Sequence, residues 1–102
     1  QIVMIGSTSS YAGFKNTSAY CASKHAVLGL SRALNNELRD SGIRVHCVSP
    51  GSTKGSMGLA TPGQDYGTFI EPEDVAKHVE FILSFEGNSI TNEVIINRTI
   101  VK

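Results

Sequence analysis

Two short stretches share one spacing: Tyr11 to Lys15 reads YAGFK, and Tyr20 to Lys24 reads YCASK. Residues four apart on a helix lie on the same face, so in such a pair an ammonium would sit beside a phenol. A free phenol has a pKa of about 10 and is a poor base near neutrality. A nearby positive charge favours the phenolate. A drop of about three units takes about 4 kcal/mol of preferential stabilisation and brings the group close to a neutral working pH. The chemistry open to such a pair is proton exchange with an alcohol or a carbonyl oxygen.

The elements around the pairs decide which of them has a fixed geometry. Gln1–Ile5 (QIVMI) is a continuous apolar run, which predicts a parallel strand buried on both faces. Gly6–Gly13 is small, polar and bracketed by glycines, and reads as a loop. Ser18–Ser41 contains no proline and one glycine, Gly29, which predicts a long helix ending at Gly42. Val27, Leu30, Leu34 and Leu38 form its apolar stripe. Ala22, Ala26, Gly29 and Ala33 form a stripe of small residues suited either to packing on a sheet or to a contact with another helix. Ile43–Val48 reads as a second strand, and the glycine- and proline-rich Ser49–Phe69 as a long irregular loop. Glu71–Ser84 is a helix with Pro72 in its first turn and Glu73 and Asp74 at the positive end of its dipole. Glu93–Asn97 is a third strand. Strand, helix, strand, helix, strand predicts an α/β fold, a parallel sheet with right-handed crossovers.

The pair Tyr11/Lys15 falls in the loop, with Gly13 between its members. Tyr20/Lys24 opens the long helix, and ligands of open α/β sheets bind beyond the carboxyl ends of the strands. Ser7 stands at that end of the first strand, thirteen residues before Tyr20. The run IVMIGS, then YCASKHAVLGLSRALNNELRDSGIRVHCVSPG, then EPEDVA resembles the short-chain dehydrogenase/reductase family, over Ile2 to about Leu83. Within it the chain is more similar to the single-domain branch than to the longer sugar-nucleotide epimerases and dehydratases.

The resemblance implies a Rossmann-like fold, a nicotinamide cofactor (NAD or NADP), and hydride transfer between the nicotinamide and a small-molecule carbonyl or alcohol. Tyr20 matches the family's general acid/base, and Lys24 the helper that also reaches the cofactor ribose. Ser7 matches the serine on the substrate oxygen; Ser9 and Ser10 are its rivals in the same loop. Pro50 and Gly51 match the turn lining the nicotinamide. Ser7 would donate to the oxygen that gains charge as hydride arrives.

Four departures stand beside the match. No glycine-rich strand–turn–helix of the kind that cradles a pyrophosphate is present. The chain therefore reads as the C-terminal part, residues 1–102, of a single domain whose dinucleotide-binding half is absent, and it is expected to be inactive alone. Gly55 replaces the family's carboxamide-binding threonine, for which Thr53 or Ser56 is the substitute. The loop from Gly51 to Glu71 is short for this branch. Asn92 stands where glycine is frequent, and INRTIVK replaces a glycine-rich ending. These departures leave open a second class of function, a non-catalytic binding or assembly module on the same fold.

Nine basic and nine acidic residues cancel among 102, which argues against a nucleic-acid or anionic-membrane surface. No apolar run approaches the roughly 18 residues of a membrane span. Cys21 and Cys47 are too sparse for a disulfide scaffold and read as reduced thiols of a cytoplasmic protein. No close-spaced zinc pattern occurs, so no metal is expected. His46 reads as a satisfied structural histidine, and His25 and His78 as surface residues. A homo-oligomer formed through the Ser18–Ser41 helix is expected.

Overall fold

The computed structural model describes residues 1–59 and 62–102; Ala60 and Thr61, within the expected long loop, lie outside the described residues. Three strands, β1 (Ile2–Ile5), β2 (Val45–Pro50) and β3 (Glu93–Ile96), form a parallel sheet in the order β1-β2-β3. Ile2 pairs with Val45 and Ile5 with Val48, while Cys47 pairs with Glu93 and Pro50 with Ile96. The connections carry α1 (Ser18–Leu38), a short α2 (Ser56–Leu59) and α3 (Pro72–Leu83).

β2 is the central strand and is buried from Val45 to Ser49. β1 is an edge strand among the described residues. Ile2 and Ile5 are 39% and 50% exposed, against the expectation of burial on both faces. An uninterrupted apolar run reports what a strand can tolerate on both sides, and β1 is paired on one side only.

The alternation of β2 divides the molecule. Val48 packs with Ile70, Ile82 and Ile96, and Val3, Val75, Val79, Leu83 and Val94 surround them, so α3 covers this face. Glu93, in register with Cys47, is bonded by Arg32 of α1, and Ser10 beside Cys47 and Ser49 bonds the backbone of Lys24. The opposite face therefore belongs to α1. Both crossovers step the same way across the sheet yet place their helices on opposite faces, so they have opposite hands. This corrects the expectation that both are right-handed. Right-handed crossovers are the general rule for parallel strands of one sheet; here the long connection from Gly51 to Glu71 carries α3 to the face opposite α1.

Gly42 ends the first helical segment at φ +74°, with its N–H on the Arg39 carbonyl, after a tight 3-10 turn at Arg39–Ser41. Only glycine adopts this conformation without penalty, so the expected stop is the observed one. The face of α1 turned to the sheet is centred on Cys21, Leu28 and Ser31, with Lys24 half-buried. Val27, Leu34 and Leu38 lie at its flank, and Leu30 is 50% exposed. The small residues Ala22, Ala26, Gly29 and Ala33 face solvent, which removes the sheet-packing reading of that stripe.

The described residues of the β2–α3 loop are more ordered than their composition predicts. Thr53 and Ile70 form a bridge, with Lys54 N–H on the Ile70 carbonyl and Ile70 N–H on the Ser52 carbonyl. Lys54 also pairs with Glu71. Further out, Arg98 donates to Thr68 Oγ1 (3.0 Å) and Gln64 Oε1 (3.1 Å) and lies 5.1 Å from the centre of the Phe69 ring. His46 is buried, with Nδ1 2.7 Å from the Thr91 carbonyl and Nε2 2.8 Å from Gln1 Oε1. His25 and His78 are exposed, each bonded to a carbonyl four residues earlier. No helix among the described residues is long and apolar enough to cross a membrane.

Candidate active site

The loop leaving β1 turns sharply. Ser7 caps a 3-10 turn at Thr8–Ser10: its Oγ accepts from Ser9 N–H at 3.0 Å, and its own N–H donates to Ser10 Oγ at 3.2 Å. A serine hydroxyl that accepts one bond in this way keeps its proton for donation to a ligand oxygen. Ser7 is 8% exposed and Ser10 1% exposed. Ser10 Oγ donates to the backbone carbonyl of Lys24 at 2.8 Å, which ties the serine loop to the first turns of α1.

Tyr20 and Lys24 are both on α1, one turn apart, and Lys24 Nζ lies 5.8 Å from the centre of the Tyr20 ring. Nζ also reaches the Ile5 carbonyl at the exit of β1, at 3.4 Å. One of its three N–H donors is thereby occupied and two remain. Tyr20 is 38% exposed, enough for a ligand to reach its hydroxyl.

The turn after β2 arrives at the same edge. Gly51 N–H donates to the Ile96 carbonyl, and a Cβ built on Gly51 would lie 3.6 Å from Thr8 Cγ2, so this turn abuts the serine loop. Thr53 turns inward instead, its hydroxyl donating to the Gly51 carbonyl at 3.0 Å. Gly55 and Ser56 are exposed. The structure thus gathers Ser7, Lys24, Pro50 and Gly51 at the carboxyl edge of the sheet, with Tyr20 stacked beside Lys24. The Thr53 hydroxyl is committed to its own turn.

The other pair does not form. Tyr11 and Lys15 lie outside any helix. The Tyr11 hydroxyl donates to Glu93 Oε1 at 2.8 Å, and Glu93 is gripped by Arg32 through Nε (2.7 Å) and NH2 (2.9 Å). Burial, then the bonded Glu93 carboxylate and its charge, push the Tyr11 pKa up to about 12. A phenol held neutral in this way is a strut, not a base. Glu93 sits below the usual carboxylate range, with the Arg32 bond as the main cause.

Three features had no signal in the local sequence. Ser10 joins loop to helix, Arg32 meets Glu93 across 61 residues, and Arg98 holds the far end of the β2–α3 loop. Cys21, next to Tyr20, is buried with its sulfur 3.1 Å from Thr17 Oγ1. That hydroxyl is the main reason its thiol pKa is lowered. Cys47 is also free. Among the described residues no group of three or more His, Cys, Asp and Glu side chains could hold a metal ion.

Comparison with known proteins bears on the whole chain. Secoisolariciresinol dehydrogenase of Forsythia intermedia is 37% identical over 97 residues, covering 94% of this chain and 33% of that protein. A protein of Xanthobacter autotrophicus named inactive 2-(S)-hydroxypropyl-CoM dehydrogenase 2 is 35% identical, over 88% of this chain and 46% of its own length. The chain therefore spans less than half the length of these curated relatives. Among solved structures, 4-hydroxyisoleucine dehydrogenase complexed with NADH superposes with a TM-score of 0.78 at 31% identity, covering 95% of this chain and 44% of that one. A short-chain dehydrogenase/reductase from Vibrio parahaemolyticus does so at 0.73 and 31%, covering 94% and 42%. Residues 1–64 match the family described as short chain dehydrogenase. The chain belongs to the short-chain dehydrogenase family.

Proposed function

We propose that the chain is the substrate-side, C-terminal portion of an NAD(P)-dependent oxidoreductase that interconverts a carbonyl and an alcohol. The observation that carries this reading is the juxtaposition of the Lys24 ammonium with the Tyr20 ring on a helical turn that Ser10 ties to the Ser7 loop. Tyr20 would give or take the hydroxyl proton of the substrate. Lys24 supports the phenolate by its charge, and its two remaining donors suit ribose hydroxyls. Ser7 donates to the substrate oxygen as that oxygen gains charge. Pro50 and Gly51 suit the nicotinamide side of the crevice, where the Gly51 turn lies against Thr8. The nicotinamide supplies or accepts the hydride. The residues present fit the nicotinamide–ribose end of the cofactor, and no sequence suited to its pyrophosphate is among them.

Replacement Tyr20→Phe in the full-length protein is expected to abolish carbonyl reduction while cofactor binding persists. Unchanged turnover would refute the assignment.

A second reading is a binding or assembly module that keeps the fold without the reaction. It is favoured by the relative whose name calls it inactive and by the engaged Thr53 hydroxyl. The isolated 102 residues are expected to be inactive and to leave NADH and NADPH fluorescence unchanged on titration. Tight binding by the isolated chain would rule the module reading out. Assembly as a homo-oligomer through the exposed small-residue stripe of α1 is part of the proposal, with light scattering as its check. The free, buried thiols fit a reducing compartment such as the cytoplasm.

A further inference from the structure

Ser10 is 1% exposed, and its hydroxyl joins two pieces of backbone that carry different chemistry. It accepts from the N–H of Ser7 at 3.2 Å and donates to the carbonyl of Lys24 at 2.8 Å. The head group of Lys24 is held separately, by the Ile5 carbonyl at 3.4 Å. Lys24 is thus fixed at both ends by the strand–loop unit, its backbone through Ser10 and its ammonium through the strand exit. The surroundings leave little slack: a Cβ on Gly6 would lie 3.1 Å from Ser10 Oγ and 2.5 Å from Ser49 Oγ.

The geometry points to Ser10 as a positioning residue, one hydroxyl that sets the spacing between the Ser7 donor and the helical turn bearing Lys24 and Tyr20. Its burial keeps it from any ligand, so it acts through the residues it holds. This inference rests on the proposed oxidoreductase reading and extends it to a residue outside the Ser7–Tyr20–Lys24 set.

Ser10→Ala removes the hydroxyl and adds no bulk. Two measurements test it. In the chain itself, NMR hydrogen exchange at the Ser7 amide is expected to quicken about tenfold while central β2 amides are unchanged, because the Ser7 N–H loses its acceptor. In the full-length protein, kcat is expected to fall about tenfold to a hundredfold, as for a small misplacement of reacting groups. KM should change little, because the Tyr20–Lys24 turn stays intact on its helix and only its spacing from Ser7 alters. A purely structural serine would lower the melting temperature and leave kcat of the folded protein in place, and that result overturns the inference. Unaltered Ser7 exchange overturns the clamp itself. Absence of turnover in the wild-type full-length protein sinks the oxidoreductase reading and the catalytic role of Ser10 together, while Ser7 exchange still reports on the clamp alone.

Discussion

Replacing Glu93 with glutamine tests the long-range tie between the start of β3, the middle of α1 and the loop after β1. The carboxylate receives three bonds: Tyr11 at 2.8 Å and Arg32 at 2.7 and 2.9 Å. Exposed ion pairs are worth about 0–1 kcal/mol, and hydrogen bonds to charged groups about 1.5–3 kcal/mol when shielded. The two-pronged grip favours the higher end, but the Arg32 side chain is 57% exposed, so solvent screening discounts it. A net loss of about 1–2 kcal/mol follows for Glu93→Gln at neutral pH. In a domain of this size that lowers the melting temperature by about 5–10 °C.

The pH dependence fixes the cause. The folded state holds Glu93 below the ordinary carboxylate range, so on acidification the unfolded chain takes up its proton first. The stability Glu93 contributes is present above the unfolded pKa of about 4.3 and is lost as pH falls through the lower folded value. Wild type and Glu93→Gln should differ at pH 7 and converge in strong acid. At the alkaline end the sign reverses. Tyr11, raised to about 12, favours the folded state while neutral, and that contribution fades as pH rises from about 10 to about 12. The assay is urea denaturation of both chains across this range. Equal stability at pH 7 would refute the tie, and a gap that persists undiminished in acid would assign the loss to packing instead of charge.

Two further substitutions probe the elements that frame the site. Gly6→Ala puts a methyl group 2.5 Å from Ser49 Oγ and 3.0 Å from Cys47 Sγ, and should cost about 1–3 kcal/mol of stability by overpacking. A melting temperature equal to that of the wild type would show that the serine loop yields easily. Arg98→Met removes the bonds to Thr68 and Gln64 and should quicken hydrogen exchange across residues 65–69, leaving β2 as it was; uniform exchange in both chains would mean that the Thr53–Ile70 bridge holds the loop unaided.

What the sequence revealed follows the range of each signal. Gly42 as a helix stop, Pro72 at a helix start and the apolar β2 are local, because φ, a missing N–H and residue-by-residue burial act within a few positions. The order of elements and the spacing of Ser7, Tyr20 and Lys24 were legible for the same reason. The rotation of α1 was not. An apolar stripe through Val27, Leu30, Leu34 and Leu38 marks one axis, but the helix also turns Cys21 and Lys24 toward the sheet, and the buried face settles between these demands with Leu30 outside. The hand of the second crossover was hidden too, since a connection from Gly51 to Glu71 lets α3 reach either face.

The two Tyr-x-x-x-Lys stretches show how context gives identical spacing different fates. Tyr20 keeps an open hydroxyl because α1 begins before it and carries Lys24 round to the same side. Tyr11 lies beyond the 3-10 turn that Ser7 caps, and there its phenol meets Glu93, which Arg32 keeps charged. The carboxylate that makes Tyr11 useless as a base also anchors the loop that presents Ser7. Loss of Glu93 should therefore loosen the serine loop without giving Tyr11 a lysine partner, since Lys15 shares no helix with it. The spare tyrosine belongs to the scaffold of the site, and the short cap between Ser7 and Ser10 is what separates the two roles.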